Sequence, residues 1–170
     1  MGFLESAVVD HRKSTTLTSR ELLVWTGVVN DHPDCSAIVL TCMDKRFHSE
    51  ISRFMRKEYG ENKFYFVSLP GGVQSLLEKK RGASMRALDL AIGSFDKIDI
   101  VLINHSDCVA YGGLSCFNHD HDKERNFHRQ QLLEARQKVA VEYPGKNLRT
   151  LFLSFHKDDD LLNIEITEIH

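Results

Sequence analysis

Two short runs, Ala37-Ile38-Val39-Leu40-Thr41 and the stretch from Ile98 to Ile103, are apolar at nearly every position and rich in β-branched residues. A strand with one wet face alternates apolar and polar residues. A continuous apolar run must instead be covered on both faces, which is the condition of a parallel sheet flanked by helices. Phe64-Tyr65-Phe66-Val67-Ser68, closed by Pro70-Gly71-Gly72, reads as a further strand, and so does Leu151-Phe152-Leu153. Lys157-Asp158-Asp159-Asp160 reads as a turn, and alternating Leu162, Ile164 and Ile166 as a last, antiparallel edge strand.

Helical periodicity fills the intervals. Ile51, Phe54, Met55 and Tyr59 mark one helix, ended by Gly60, and Met85, Leu88, Ile92 and Phe95 mark another. A third runs from a polar start near Asp120 through about Val141, stopped by Pro144 and Gly145. Thr18 to Glu21 has capping-box spacing ahead of Leu22, Leu23, Trp25, Val28 and Val29, so a first helix is expected over about 19 to 29. Residues 1–17 lack periodicity and read as an N-terminal arm that orders against a partner subunit. The expected fold class is α/β, with three layers and helices on both faces. Its mostly parallel sheet has four strands in order 2-1-3-4 and an antiparallel fifth strand at the edge.

At 170 residues the chain suits one domain, 1–170, with a full core. Its 22 basic and 24 acidic residues leave a formal charge of -2, and Lys79-Lys80-Arg81 is too short to track a phosphate backbone, so nucleic acid is not an expected partner. No apolar run reaches the roughly 18 residues needed to span a bilayer, and no basic stretch precedes the first apolar residues. A soluble, cytoplasmic protein is expected. In a reducing compartment clustered Cys and His point to metal or catalysis rather than disulfides.

That cluster sits where the architecture makes a site. In a 2-1-3-4 order the connections leave strands one and three in opposite directions, opening a crevice at their carboxyl ends. Cys42-Met43-Asp44-Lys45-Arg46 follows strand one, and His105-Ser106-Asp107-Cys108 follows strand three. Two thiols and an imidazole suit zinc with a fourth position left for water, a catalytic rather than a structural pattern. Asp44 is close enough either to take that position itself or to accept a hydrogen bond from the water. Arg46 is placed to pair with Asp44 bidentately, hold it off the metal and keep it ionised. The competing reading is of reduced, metal-free cysteines in a core. Asp107 reads as a loop or capping carboxylate, Tyr111 as a pocket, core or surface residue, and Cys35 and Cys116 as small semi-buried residues. His119-Asp120-His121-Asp122, with His128, reads as a solvated helix start rather than a second metal site.

Cys42, Asp44 and Arg46 followed by His105 and Cys108 resemble the Cys-x-Asp-x-Arg and His-x-x-Cys motifs of the β-class carbonic anhydrases. In outline the resemblance extends from about Ile38 to Ile166. It implies Cys42, His105 and Cys108 as ligands of Zn2+, Asp44 and Arg46 as the catalytic pair, and reversible hydration of carbon dioxide to bicarbonate by a homodimer or higher even oligomer. Three positions depart from the family. Pro70-Gly71-Gly72 stands where Ala-Gly-Asn is common, Val109 stands where glycine follows the second cysteine, and Asn30, Asp31 and His32 occupy the neighbourhood of a glutamine that many members place beside the substrate. The substrate pocket is therefore expected to differ. The alternatives are a zinc hydrolase of carbonyl sulfide or carbon disulfide, and a non-catalytic zinc-binding or regulatory protein.

Overall fold

The computed structural model describes residues 34–158 and 161–170, with backbone alone for 156–158, 161 and 162. The helix expected over 19 to 29, the arm at 1–17 and the residues at 30 to 32 lie outside the described residues. Among the described residues, five strands form one sheet in the order β2-β1-β3-β4-β5. They are β1 (Ala37–Cys42), β2 (Phe64–Leu69), β3 (Asp99–His105), β4 (Leu148–Asp158) and β5 (Leu161–Glu168). The first four are parallel and β5 is antiparallel to β4 at the edge, as the sequence predicts.

Strand alternation divides the core. Ile38, Leu40, Ile100 and Leu102 point to one face, where they meet Leu76 of α2 (Gln74–Leu77), Met85 and Leu88 of α3 (Ala83–Ser94), and Leu132, Ala135 and Val139 of α4 (His121–Glu142). Ala37, Val39, Val101, Ile103, Leu151 and Leu153 point to the other, where Phe47, Ile51 and Met55 of α1 (Lys45–Tyr59) cover them. With both faces of β1 and β3 covered, a period-2 backbone carries a continuous apolar sequence. The β1-α1-β2 crossover and the β2-α3-β3 crossover place their helices on opposite faces, as right-handed connections do when one runs outward from β1 to β2 and the next runs back past β1 to β3.

Two elements differ from the sequence reading, one in extent and one in being present at all. β4 is longer than the 151–153 run, because it pairs with β3 on one side and with β5 on the other, to Asp158 opposite Leu161. Lys157 and Asp158, read as turn, are therefore strand. The four-residue α2 was not anticipated, being too short to show a period. No helix among the described residues is long and apolar enough to cross a membrane.

The turn after β2 crosses the ends of β1 and β3, and one glycine permits it. Gly72 has φ +53, and a Cβ there would stand 3.0 Å from both the Cys42 backbone N and the Ile103 O. Gly72→Ala is expected to cost at least roughly 1–2 kcal/mol from the left-handed backbone alone. A urea midpoint equal to that of the parent would contradict this packing.

Candidate metal centre

Cys42 is the last residue of β1 and His105 the last of β3, so the crevice between these neighbours receives both side chains. Cys108 joins them because Asp107 takes a left-handed backbone, φ +53, and turns the chain back over the strand ends. The three residues are buried, and their donor atoms lie within 4.8 Å of one another. The Sγ atoms of Cys42 and Cys108 are 3.7 Å apart. Both are free thiols, at a separation far beyond a disulfide bond.

The donor set fits a zinc ion. A tetrahedral centre with zinc–sulfur bonds of about 2.3 Å places its two sulfurs about 3.8 Å apart, close to the spacing found. The His105 Nδ1–H donates to the Ser106 carbonyl at 2.7 Å, which fixes the tautomer and leaves the Nε2 lone pair available. That Nε2 is buried without a hydrogen-bond partner, a costly state for an imidazole nitrogen unless something binds it. The Phe47 ring packs on the imidazole at 4.5 Å between centroids and holds its plane. The hydrogen bond from Cys108 lowers the Cys42 thiol against the effect of burial, with His105 assisting, while the same hydrogen bond and burial raise Cys108.

Asp44 is the N-cap of α1, accepting the Arg46 backbone N–H at 3.0 Å. The same Arg46 returns its side chain to the carboxylate. Nε contacts Oδ1 at 3.1 Å and Oδ2 at 3.0 Å, and Nη2 contacts Oδ2 at 2.7 Å, so both oxygens are occupied as the sequence predicts. Arg46 thereby holds the Asp44 carboxyl below the usual carboxylate range, outweighing its partial burial. Arg46 is also clamped from the other side. Its Nη1 donates to Asp107 Oδ2 and its Nη2 to the Asp107 carbonyl, both at 3.1 Å. The guanidinium lies 5.2 Å from the centre of the Phe155 ring.

Asp107, expected as a loop or capping carboxylate, does cap: its Oδ1 accepts from Leu114 N at the start of a 3-10 turn, and its Oδ2 makes a further pair, not anticipated, with Arg46. Glu124 and His128 were not anticipated as part of the surroundings. Glu124, 1 % exposed, accepts the Asp107 backbone N–H at 2.6 Å, and burial raises its carboxyl. His128 is wholly buried against Tyr111 and Phe152, which corrects its inclusion with a solvated helix start, whereas His119, His121 and Asp122 are exposed as expected. Tyr111 is a packing residue with a buried hydroxyl. Cys35 is buried, but Cys116 is exposed rather than semi-buried, since its 3-10 turn stands at the surface.

Burial pulls the His128 imidazole down to about 4. A depressed folded value means that its stabilising contribution is complete above the unfolded value of about 6.5 and is lost as pH falls toward 4. NMR titration of the imidazole checks this. A midpoint near 6.5 for His128 would show that water reaches it.

A cavity of about 330 Å3 is lined by Cys42, Met43, Asp44, Pro70, Gly71, Val109 and Ala110. Two of the positions that depart from the β-class pattern, the Pro70-Gly71 turn and Val109, thus form its wall. Residues 32–158 match the family described as "Putative carbonic anhydrase". The chain belongs to this family.

Carbonic anhydrase membership agrees with the fold. The β-carbonic anhydrase isoform I of the protozoan Trichomonas vaginalis is similar in structure, with a TM-score of 0.50 and 16% identity over 85% of this chain and 87% of that one. At that identity the likeness shows the fold. Two sequence relatives are uncharacterized proteins of Rickettsia. That of Rickettsia bellii (strain RML369-C) is 24% identical over 71% of this chain and 77% of its own length. That of Rickettsia conorii (strain ATCC VR-613 / Malish 7) is 23% identical over 90% of this chain and 88% of its own length.

Proposed function

We propose that the protein is a zinc lyase catalysing the reversible hydration of carbon dioxide, in which carbon dioxide and water give bicarbonate and a proton. The observation that carries this is the buried Cys42-His105-Cys108 triad, at zinc-ligand spacing, beside a carboxylate whose two oxygens are held by an arginine. Zinc would be held by those three residues, and it supplies Lewis acidity that brings the pKa of water at an open position to about 7. Two thiolates balance the dication. Asp44 stays ionised under Arg46 and accepts a hydrogen bond from the attacking water, orienting its lone pair. The apolar wall of Pro70, Val109 and Ala110 admits a small uncharged substrate and offers it no competing polar contacts.

The same wall favours a second reading, hydrolysis of a more apolar heterocumulene. Stopped-flow assays of the zinc-loaded protein with carbon dioxide, carbonyl sulfide and carbon disulfide decide between them. Hydration of carbon dioxide as the fastest reaction supports the proposal. Turnover of a sulfur substrate alone transfers the site to the second reading, and turnover of none makes it a non-catalytic zinc-binding or regulatory site.

We further read the chain as one domain working in the cytoplasm on a small molecule, as a homodimer or larger even assembly. In its support, β2 forms one end of the sheet with Tyr65 exposed on it, and Leu90 of α3 is 74% exposed nearby. Sedimentation at micromolar concentration would show a dimer. A strictly monomeric species would contradict the assembly.

A further inference from the structure

We infer that Asp107 is a positioning residue: it holds the guanidinium of Arg46, and Arg46 in turn holds Asp44. The kinetic part of this inference rests on the proposed hydration chemistry, whereas the geometric part does not. A guanidinium has five N–H donors in a rigid plane, so fixing two of its edges fixes the third. Nε and one Nη2 hydrogen face Asp44, while Nη1 and the other Nη2 hydrogen face the carboxylate and carbonyl of Asp107. Without the second edge, Arg46 could swing on its long side chain, since 34% of it is exposed to solvent.

Asp107 is itself anchored at two points. Its Oδ1 accepts from Leu114 N, and its backbone N–H donates to buried Glu124. It also stands between His105 and Cys108 in sequence. The peptide that delivers two of the candidate metal ligands therefore also sets the orientation of the arginine, so that movement of the triad and of Asp44 would be linked through one residue. The Arg46–Asp107 pair is too exposed to contribute much stability, with 34% and 40% of the two side chains accessible, which leaves orientation as its main effect.

Asp107→Asn isolates that effect. Asn tolerates the left-handed backbone, and its amide oxygen can keep the bond from Leu114 N. Its NH2 group then meets the Arg46 Nη1 donor to donor. The readout is hydrogen exchange of the Arg46 Nε–H by NMR in the full-length protein. This proton faces Asp44 rather than Asp107, so a role confined to capping the 3-10 turn would leave it unmoved.

In Asp107→Asn the Nε–H is expected to exchange about tenfold or more faster than in the parent, with the fold and zinc content unchanged. In the hydration assay kcat should fall on the order of 10- to 100-fold with little change in KM, as for a misplaced reacting group. The substitution should add nothing in an Arg46→Ala background. Unchanged Nε–H exchange would overturn the inference, and so would a fall in kcat that is fully additive with Arg46→Ala. If the parent protein hydrates no carbon dioxide, the functional proposal falls and the exchange comparison decides the positioning role by itself.

Discussion

Changing Cys42 or Cys108 to Ser is expected to empty the site of zinc. A hydroxyl is a far poorer ligand than a thiolate, and the nearby Asp44 carboxylate, which could compensate, is held by Arg46. The fall in affinity should exceed the roughly 10- to 100-fold that loss of a ligand's hydrogen-bonding partner costs. Metal analysis after dialysis checks the result. Full zinc occupancy in both variants would contradict the coordination, whatever their activity.

Arg46→Ala and Asp44→Asn should keep zinc and lose activity by about 10²–10⁴-fold, the range for a positioned proton acceptor. The two losses have different origins. Removing Arg46 frees both oxygens of a carboxylate two residues from Cys42, and Asp44 can then compete for the fourth position on the metal. Asp44→Asn keeps an oxygen but loses the anionic acceptor that orients water. Because the residues act as one unit, the double variant should be little worse than either single variant. Activity should fall toward acidic pH in the parent, since zinc held by the triad would bring the pKa of water there to about 7. Unchanged turnover in both single variants at full zinc occupancy would reduce the pair to a structural cap of α1.

The sheet order was legible because β1 and β3 are buried on both faces, which leaves a signature in one dimension. β4 was less so: Thr150 and Ser154 are buried polar residues inside it, and they cut its apolar signal to Leu151–Leu153. At the site, Asp44 and Arg46 are two residues apart at a helix start, a spacing that a sequence reading can interpret. Arg46 and Asp107 are 61 residues apart, and only the left-handed turn at Asp107 brings its carboxylate around to the guanidinium. One signal for the buried pair in α4 was present. Glu124 and His128 continue upward, at helical spacing, the buried stripe of Leu132, Ala135 and Val139. Polar residues on the extension of an apolar stripe are positions where a core helix meets a polar site, and here they meet the Asp107 peptide and Asn104.

The most direct test of the central claim is a zinc titration of the metal-free protein, followed by carbon dioxide hydration in a stopped-flow instrument. The account predicts that activity rises in proportion to bound zinc, stops rising at one zinc per chain, and is absent from the Cys42→Ser protein carried through the same titration. A chain that binds its zinc through Cys42, His105 and Cys108 at full occupancy, yet hydrates carbon dioxide no faster than buffer, would contradict it.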